Sequence, residues 1–228
     1  MIIPIRLRYS NAYLLKTDHK VILIDTGCKG QHNSVIRAMG RAGIAPSDLS
    51  LIVHTHVHPD HCGATSELSQ LLNVPTLVHA YEYESLASGR AKGLIAHNWE
   101  GRLLKKVVLN LGITQFEPSH QMSDDLLSLK PFGVNATAYL TPGHTSGSIS
   151  IMDHDSHEVV VGDVLMGGYF FNKVKTHHPR LHYFIQDQKL LKWSLQRLLS
   201  LKALHWHPGH GGIIHHTRIK MALRHFLT

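Results

Sequence analysis

The segment HTHVHPDH, residues 54–61, puts four histidines and one aspartate into eight positions. In an extended loop, side chains two apart project to the same side, so His56 and His58 reach one point in space. Asp60 and His61 follow where the chain turns toward a helix, and they reach a second point close by. Imidazole and carboxylate are the donors expected of a zinc site, and they also suit iron and manganese. Eight residues cannot close a metal site alone, so further donors must come from elsewhere in the chain.

Three later segments supply them, each at the end of a predicted strand. TPGHTSGS (141–148) offers His144, VVVGDVL (159–165) offers Asp163, and HWHPGHGG (205–212) offers His210. Glycines beside these residues let the backbone pack closely behind a ligand. Function also concentrates on loops at strand ends.

The surrounding pattern is mixed. Apolar and alternating runs predict strands at 2–8, 13–15, 21–24, 51–53 and 76–79, and again at 126–129, 134–140, 148–152, 159–161 and 204–206. Helical spacing predicts helices at 31–42, with Val35, Ile36 and Met39 as the apolar stripe, and at 65–72 and 82–88. Two more fall at 186–200 and 217–226. Residues 89–125 give no clear pattern. Strands and helices interleave in two similar halves, which fits a layered α/β domain with two sheets inside and helices outside.

Composition sets the outer limits. The chain has 228 residues, 43% hydrophobic and 17% charged, which suits one globular domain over residues 1–228. No apolar run approaches the roughly 20 residues needed to span a bilayer. The opening MIIPIRLRYS is interrupted by Pro4, Arg6 and Arg8 and does not read as a signal peptide. Two cysteines, Cys28 and Cys62, make no disulfide framework, so the expected location is cytoplasmic. The formal charge is +7, but the lysines and arginines are scattered. That distribution argues against a nucleic-acid partner and for a small-molecule substrate, with no membrane partner. A homo-oligomer is compatible with the sequence.

Taken in order, LIDTG (23–27), THVHPDH, TPGHTSGS, GD and PGHGG resemble the metallo-β-lactamase superfamily, in particular its glyoxalase II-like and lactonase-like members. The resemblance implies a four-layer αββα sandwich and a full dinuclear ligand set. His56, His58 and His144 would hold a first metal; Asp60, His61 and His210 would hold a second; Asp163 would bridge them. Asp25 would be an outer carboxylate that orients a ligand histidine. Two divalent cations are implied, zinc first, with iron or manganese as alternatives. The implied activity is hydrolysis of an ester, thioester or lactone by a metal-bridging hydroxide, with Asp60 orienting it and carrying a proton to the leaving group. Two other readings stay open: a mononuclear iron enzyme like the persulfide dioxygenases, and a phosphodiesterase acting on nucleotides or nucleic acid.

Departures from the family patterns narrow the choice. True β-lactamases of this superfamily generally lack the bridging aspartate. The usual glyoxalase II enzymes follow the last ligand histidine with a helical glutathione-binding domain, whereas 18 residues follow His210 here. Lactonases commonly place a tyrosine three residues after the bridging aspartate, where this chain has Met166. His54 and His207 are expected not to bind metal, and Cys62 to pack at a helix start. His177, His178, His182, His215 and His216 read as surface histidines. Residues 166–184 are expected to shape the substrate pocket, with Tyr169, Phe170 and Phe171 as an apolar wall and Lys173, Lys175 or Arg180 facing a carboxylate or phosphate.

Overall fold

Strand-forming runs of Val, Ile and Leu build two six-stranded sheets in a computed structural model that describes residues 1–227. The first sheet runs in sequence order: β1 (Ile2–Arg6), β2 (Asn11–Lys16), β3 (Val21–Ile24), β4 (Leu49–Val53), β5 (Thr76–His79) and β6 (His120–Met122). Its first three strands are antiparallel, and β3 to β6 pair in parallel. Parallel strands need crossovers, and helices supply them. These are α1 (His32–Arg41), α2 (Pro59–Cys62), α3 (Thr65–Leu72), α4 (Tyr83–Ser88) and α5 (Trp99–Leu111).

The second sheet contains β7 (Leu126–Ser128), β8 (Ala136–Leu140), β9 (Ile149–Asp153) and β10 (Glu158–Gly162). A separate hairpin follows, β11 (Met166–Tyr169) and β12 (Val174–Arg180), and then α6 (Gln188–Ser200). β13 (His205–Pro208) and β14 (Ile214–His215) complete the sheet in the order β14-β13-β10-β9-β8-β7, and α7 (His216–Leu227) closes the chain.

Burial explains the layering. Ile22, Ile24, Leu51, Val53 and Leu77 of the first sheet share one core with Ala138, Ile149, Ile151 and Val160 of the second. The opposite face of the first sheet packs under Val35 and Met39 of α1 and Leu68 of α3. The opposite face of the second packs under Leu191, Leu195 and Leu198 of α6 and Ile219 and Leu223 of α7. Each such buried aliphatic side chain contributes about 1.5–3 kcal/mol. The result is the αββα arrangement. No helix among the described residues is long and apolar enough to cross a membrane.

Two regions differ from the sequence reading. The patternless stretch 89–125 contains α5 and β6. Helix α5 packs Leu104 and Val108 against the cluster holding Tyr183 and Phe184 but leaves Leu103, Val107 and Leu109 exposed, so its apolar residues spread beyond one core-facing stripe. The pocket-shaping segment 166–184 contains the β11–β12 hairpin, whose tip holds Phe170, Phe171 and Asn172 in the left-handed region.

Candidate metal centre

All seven histidine and aspartate donors singled out from the sequence come together at one edge of the sandwich. Residues 54–58 leave the end of β4, and α2 carries Asp60 and His61. His144 follows β8, Asp163 follows β10, and His210 follows β13. The aspartate follows Gly162, which turns out of its strand with φ at 52°. A side chain at Gly209 would collide with the Asp163 carboxylate and the His61 ring.

Each histidine is held by its outer nitrogen, which leaves its inner nitrogen facing the others. His144 Nδ1 donates to Phe184 O at 2.9 Å, His58 Nε2 to Lys92 O at 2.8 Å, and His210 Nδ1 to Tyr9 O at 2.9 Å. His61 Nδ1 donates to Asp25 Oδ2 at 2.8 Å. Thr55 gives its hydroxyl proton to Asp25 Oδ2 at 2.7 Å, so its oxygen accepts from His56 Nδ1 at 3.1 Å. Asp25 also accepts the Thr55 amide at 2.8 Å and thus fixes the start of the histidine loop.

The inner atoms form two groups around one carboxylate. His144 Nε2 lies 3.1 Å from His58 Nδ1, with His56 Nε2 beside them and without a hydrogen-bond partner. His61 Nε2 lies 3.4 Å from His210 Nε2, which is 3.4 Å from Asp60 Oδ2. Asp163 Oδ2 sits 3.6, 3.5, 3.5 and 3.3 Å from the inner nitrogens of His56, His61, His144 and His210. Donors about 2.0–2.1 Å from a common tetrahedral ion lie roughly 3.3 Å apart. In the first group the outer N–H bonds leave three lone pairs facing one another with no proton between them. A cation satisfies that arrangement, and the donor set fits a divalent metal.

Burial and charge act in opposite directions here. Burial lowers the pKa of His56 and takes His144 down to about 3. Burial also opposes charge on His61, but Asp163, Asp60 and Asp25 outweigh it and hold the ring well above its ordinary value. His210 is raised in the same way, with Asp163 overcoming burial. Burial would raise Asp163, yet His182, His210 and His61 together keep its carboxyl well below the usual range.

Residues set aside in the sequence fall as follows. His54 Nε2 contacts Thr65 Oγ1 at 3.0 Å, His207 Nε2 contacts Glu158 Oε2 at 3.0 Å, and Cys62 Sγ donates to His58 O at 3.2 Å. His182 does not lie at the surface: it is buried, with Nε2 3.2 Å from Asp163 Oδ2. Its neighbours His177 and His178 look the same in sequence, and only the path of the chain beyond β12 separates them. Glu82, which carries no sequence motif, is also buried. It accepts from Val57 N at 2.9 Å, Thr145 Oγ1 at 2.6 Å and Gly147 N at 3.0 Å, and so joins the His56–His58 loop to the His144 loop.

A cavity of about 630 Å³ opens over the centre. Lys173 and Phe171 line it, whereas Tyr169, Phe170 and Arg180 are not among its lining residues. Arg180 instead meets the buried Glu100 at 2.7 Å and lies over the rings of Tyr169 and Tyr183. That ion pair ties the hairpin to α5.

Fold and site together define an αββα protein with a histidine–aspartate metal centre at the strand ends. Residues 5–210 match the model of the metallo-beta-lactamase superfamily. A probable metallo-hydrolase of Methanocaldococcus jannaschii is 31% identical over 159 residues, 68% of this chain and 67% of that one. A probable metallo-hydrolase of Bacillus subtilis is 29% identical over 161 residues, 70% and 67% of the two chains. Among solved structures, that of TTHA1623 in a di-iron-bound form superposes with a TM-score of 0.69 at 24% identity, covering 96% of this chain and 98% of that one. The chain belongs to the metallo-β-lactamase superfamily and is a metal-dependent hydrolase of that class.

Proposed function

We propose that this hydrolase uses a dinuclear centre to cleave an ester, thioester or lactone in a small molecule. The observation that carries the reading is the shared oxygen of Asp163. It lies 3.3–3.6 Å from inner nitrogens of both donor groups, as a carboxylate common to two cation positions must. His56, His58 and His144 would hold one cation, and Asp60, His61 and His210 the other. Bound there, the pair supplies Lewis acidity and lowers the pKa of a water so that it is a nucleophile near pH 7. Zinc is the metal proposed; iron and manganese accept the same donors.

The remaining roles belong to the chain itself. Asp25 fixes His61 with its inner nitrogen toward the centre. Asp60 is partly open to the cavity and can hold a proton beside a leaving group. Leu104, Val107, Val108 and Leu111 of α5 make one cavity wall apolar, while Arg6, Arg8 and Lys173 carry positive charge into its lining. That combination suits a substrate with an apolar acyl chain and an anionic group.

Elemental analysis of protein purified without added metal tests the core of the reading. About two zinc ions per chain, with turnover of at least one class in a panel of lactones, thioesters and esters, is the expected result. One iron per chain with oxygen consumption would replace it by an oxygenase.

A further inference from the structure

We infer that His182 is a catalytic hydrogen-bond donor, whose Nε2–H meets the substrate oxygen that gains negative charge during hydrolysis. The inference rests on the hydrolytic reading above and adds a residue to it. His182 is buried, lines the cavity, and has an Nε2 with no hydrogen-bond partner. Its ring lies 4.5 Å from that of His144 and 5.3 Å from that of His210, over the centre.

By distance alone His182 is a further metal ligand, because it groups with His144 and Asp163. The backbone of Phe184 argues otherwise. Its carbonyl accepts from His144 Nδ1 at 2.9 Å, which leaves Nε2 of His144 as a lone pair for metal. Its amide donates to His182 Nδ1 at 3.2 Å, which makes that nitrogen an acceptor and puts the proton of the neutral ring on Nε2. The alternative, His182 Nδ1 donating to the same carbonyl, spans 3.4 Å and competes with the shorter bond from His144. The backbone of one residue therefore sets opposite tautomers in two adjacent imidazoles. His144 offers electrons to the centre and His182 offers a proton.

A buried N–H pointing into a cavity is costly to leave unpaired. Its nearest acceptor, Asp163 Oδ2 at 3.2 Å, is the same oxygen that four other imidazoles approach. A substrate oxygen entering above the centre gives that N–H its own acceptor. Donors of this kind act by stabilising charge that grows toward the transition state, and the proton stays on His182 throughout.

The test uses metal-loaded protein and butylphosphonate, a tetrahedral anion that mimics the charged state. His182→Ala should keep the wild-type metal content per chain and weaken phosphonate binding about 10- to 100-fold by calorimetry. His182→Gln, whose side-chain N–H extends to a similar point, should restore binding to within about threefold. With p-nitrophenyl butyrate, the alanine variant should lower kcat and leave KM nearly unchanged. Loss of metal from either variant would make His182 a ligand and overturn the inference. Wild-type phosphonate affinity in His182→Ala would overturn it as well, as would a glutamine variant no better than alanine. If wild-type protein hydrolysed no ester, thioester or lactone, the proposed function would fail and take the catalytic role of His182 with it, and phosphonate binding would then report only whether its N–H meets an anion.

Discussion

Glu82→Gln should destabilise the protein without touching any metal donor. The carboxylate accepts three hydrogen bonds, from Val57 N, Thr145 Oγ1 and Gly147 N, in a site shielded from water. An amide retains one oxygen, which can keep the two bonds now made to Oε1. Its NH2 would then face the Val57 amide, donor against donor. Hydrogen bonds to a charged group contribute about 1.5–3 kcal/mol each, so losing one costs about that much. For a chain of this size a loss of 1 kcal/mol lowers Tm by roughly 2–4 °C, which predicts a fall of about 3–12 °C. Alanine removes all three hydrogen bonds and should cost more, about 3–6 kcal/mol. Urea unfolding of metal-free protein isolates the effect from metal binding. In the proposed dinuclear centre, the same variants should weaken the metal assigned to His56, His58 and His144 more than the other, because Glu82 joins those two loops. If Glu82→Gln unfolded within 0.5 kcal/mol of wild type (an order-of-magnitude threshold set by ordinary surface changes), the carboxylate would not be the clamp described.

Other perturbations have equally definite outcomes. Arg180→Ala leaves the Glu100 carboxylate buried without its ion pair, and about 3–5 kcal/mol of stability should be lost, measured by thermal unfolding. Replacing both partners by leucine should cost less than the single change. Metal uptake near pH 7 should release protons from His61 and His210, whose pKa values Asp163 and its neighbours raise against burial. Calorimetry in buffers of different ionisation enthalpy would detect the release, and its absence would contradict those shifts. A raised folded-state pKa stabilises metal-free protein fully below about pH 6.5 and progressively less as pH rises through the folded value. Thermal scans of metal-free protein should follow that sign. Val107→Lys places a charge in the apolar wall, so KM should rise for long-chain esters and hold steady for acetyl esters.

The clustering of the proposed metal donors was legible in the sequence because chemistry and spacing coincide in them. A single stretch carries His56, His58, Asp60 and His61, and glycine-framed strand ends carry the rest. The αββα layers were legible for a similar reason, since Val21–Ile24 and the stripe of α1 follow the periods of strand and helix. What stayed hidden depends on contacts distant in sequence. Glu82 reads as an ordinary acid until two loops close on it. His182 stands in a run of histidines, and its burial is decided where the chain leaves β12. Leu104, Val107, Val108 and Leu111 of α5 do repeat at helical spacing, but exposed Leu103 and Leu109 add apolar residues off that face and blur the pattern. Arg180 read as a substrate contact, but its buried partner is a glutamate 80 residues earlier.

The wall of the cavity and its floor come from different parts of the chain. Strand-end loops and α2 supply every proposed metal donor, whereas α5 and the β11–β12 hairpin supply the apolar surface and Lys173. Mutation can therefore explore new substrates in the wall while the reactive centre beneath stays under unchanged selection. Tyr9 and the segment from His182 to Phe184 are exceptions, since the backbone of each orients a donor imidazole and their side chains face the cavity. Changes at either place alter binding and chemistry together, and both should drift more slowly than the rest of the wall.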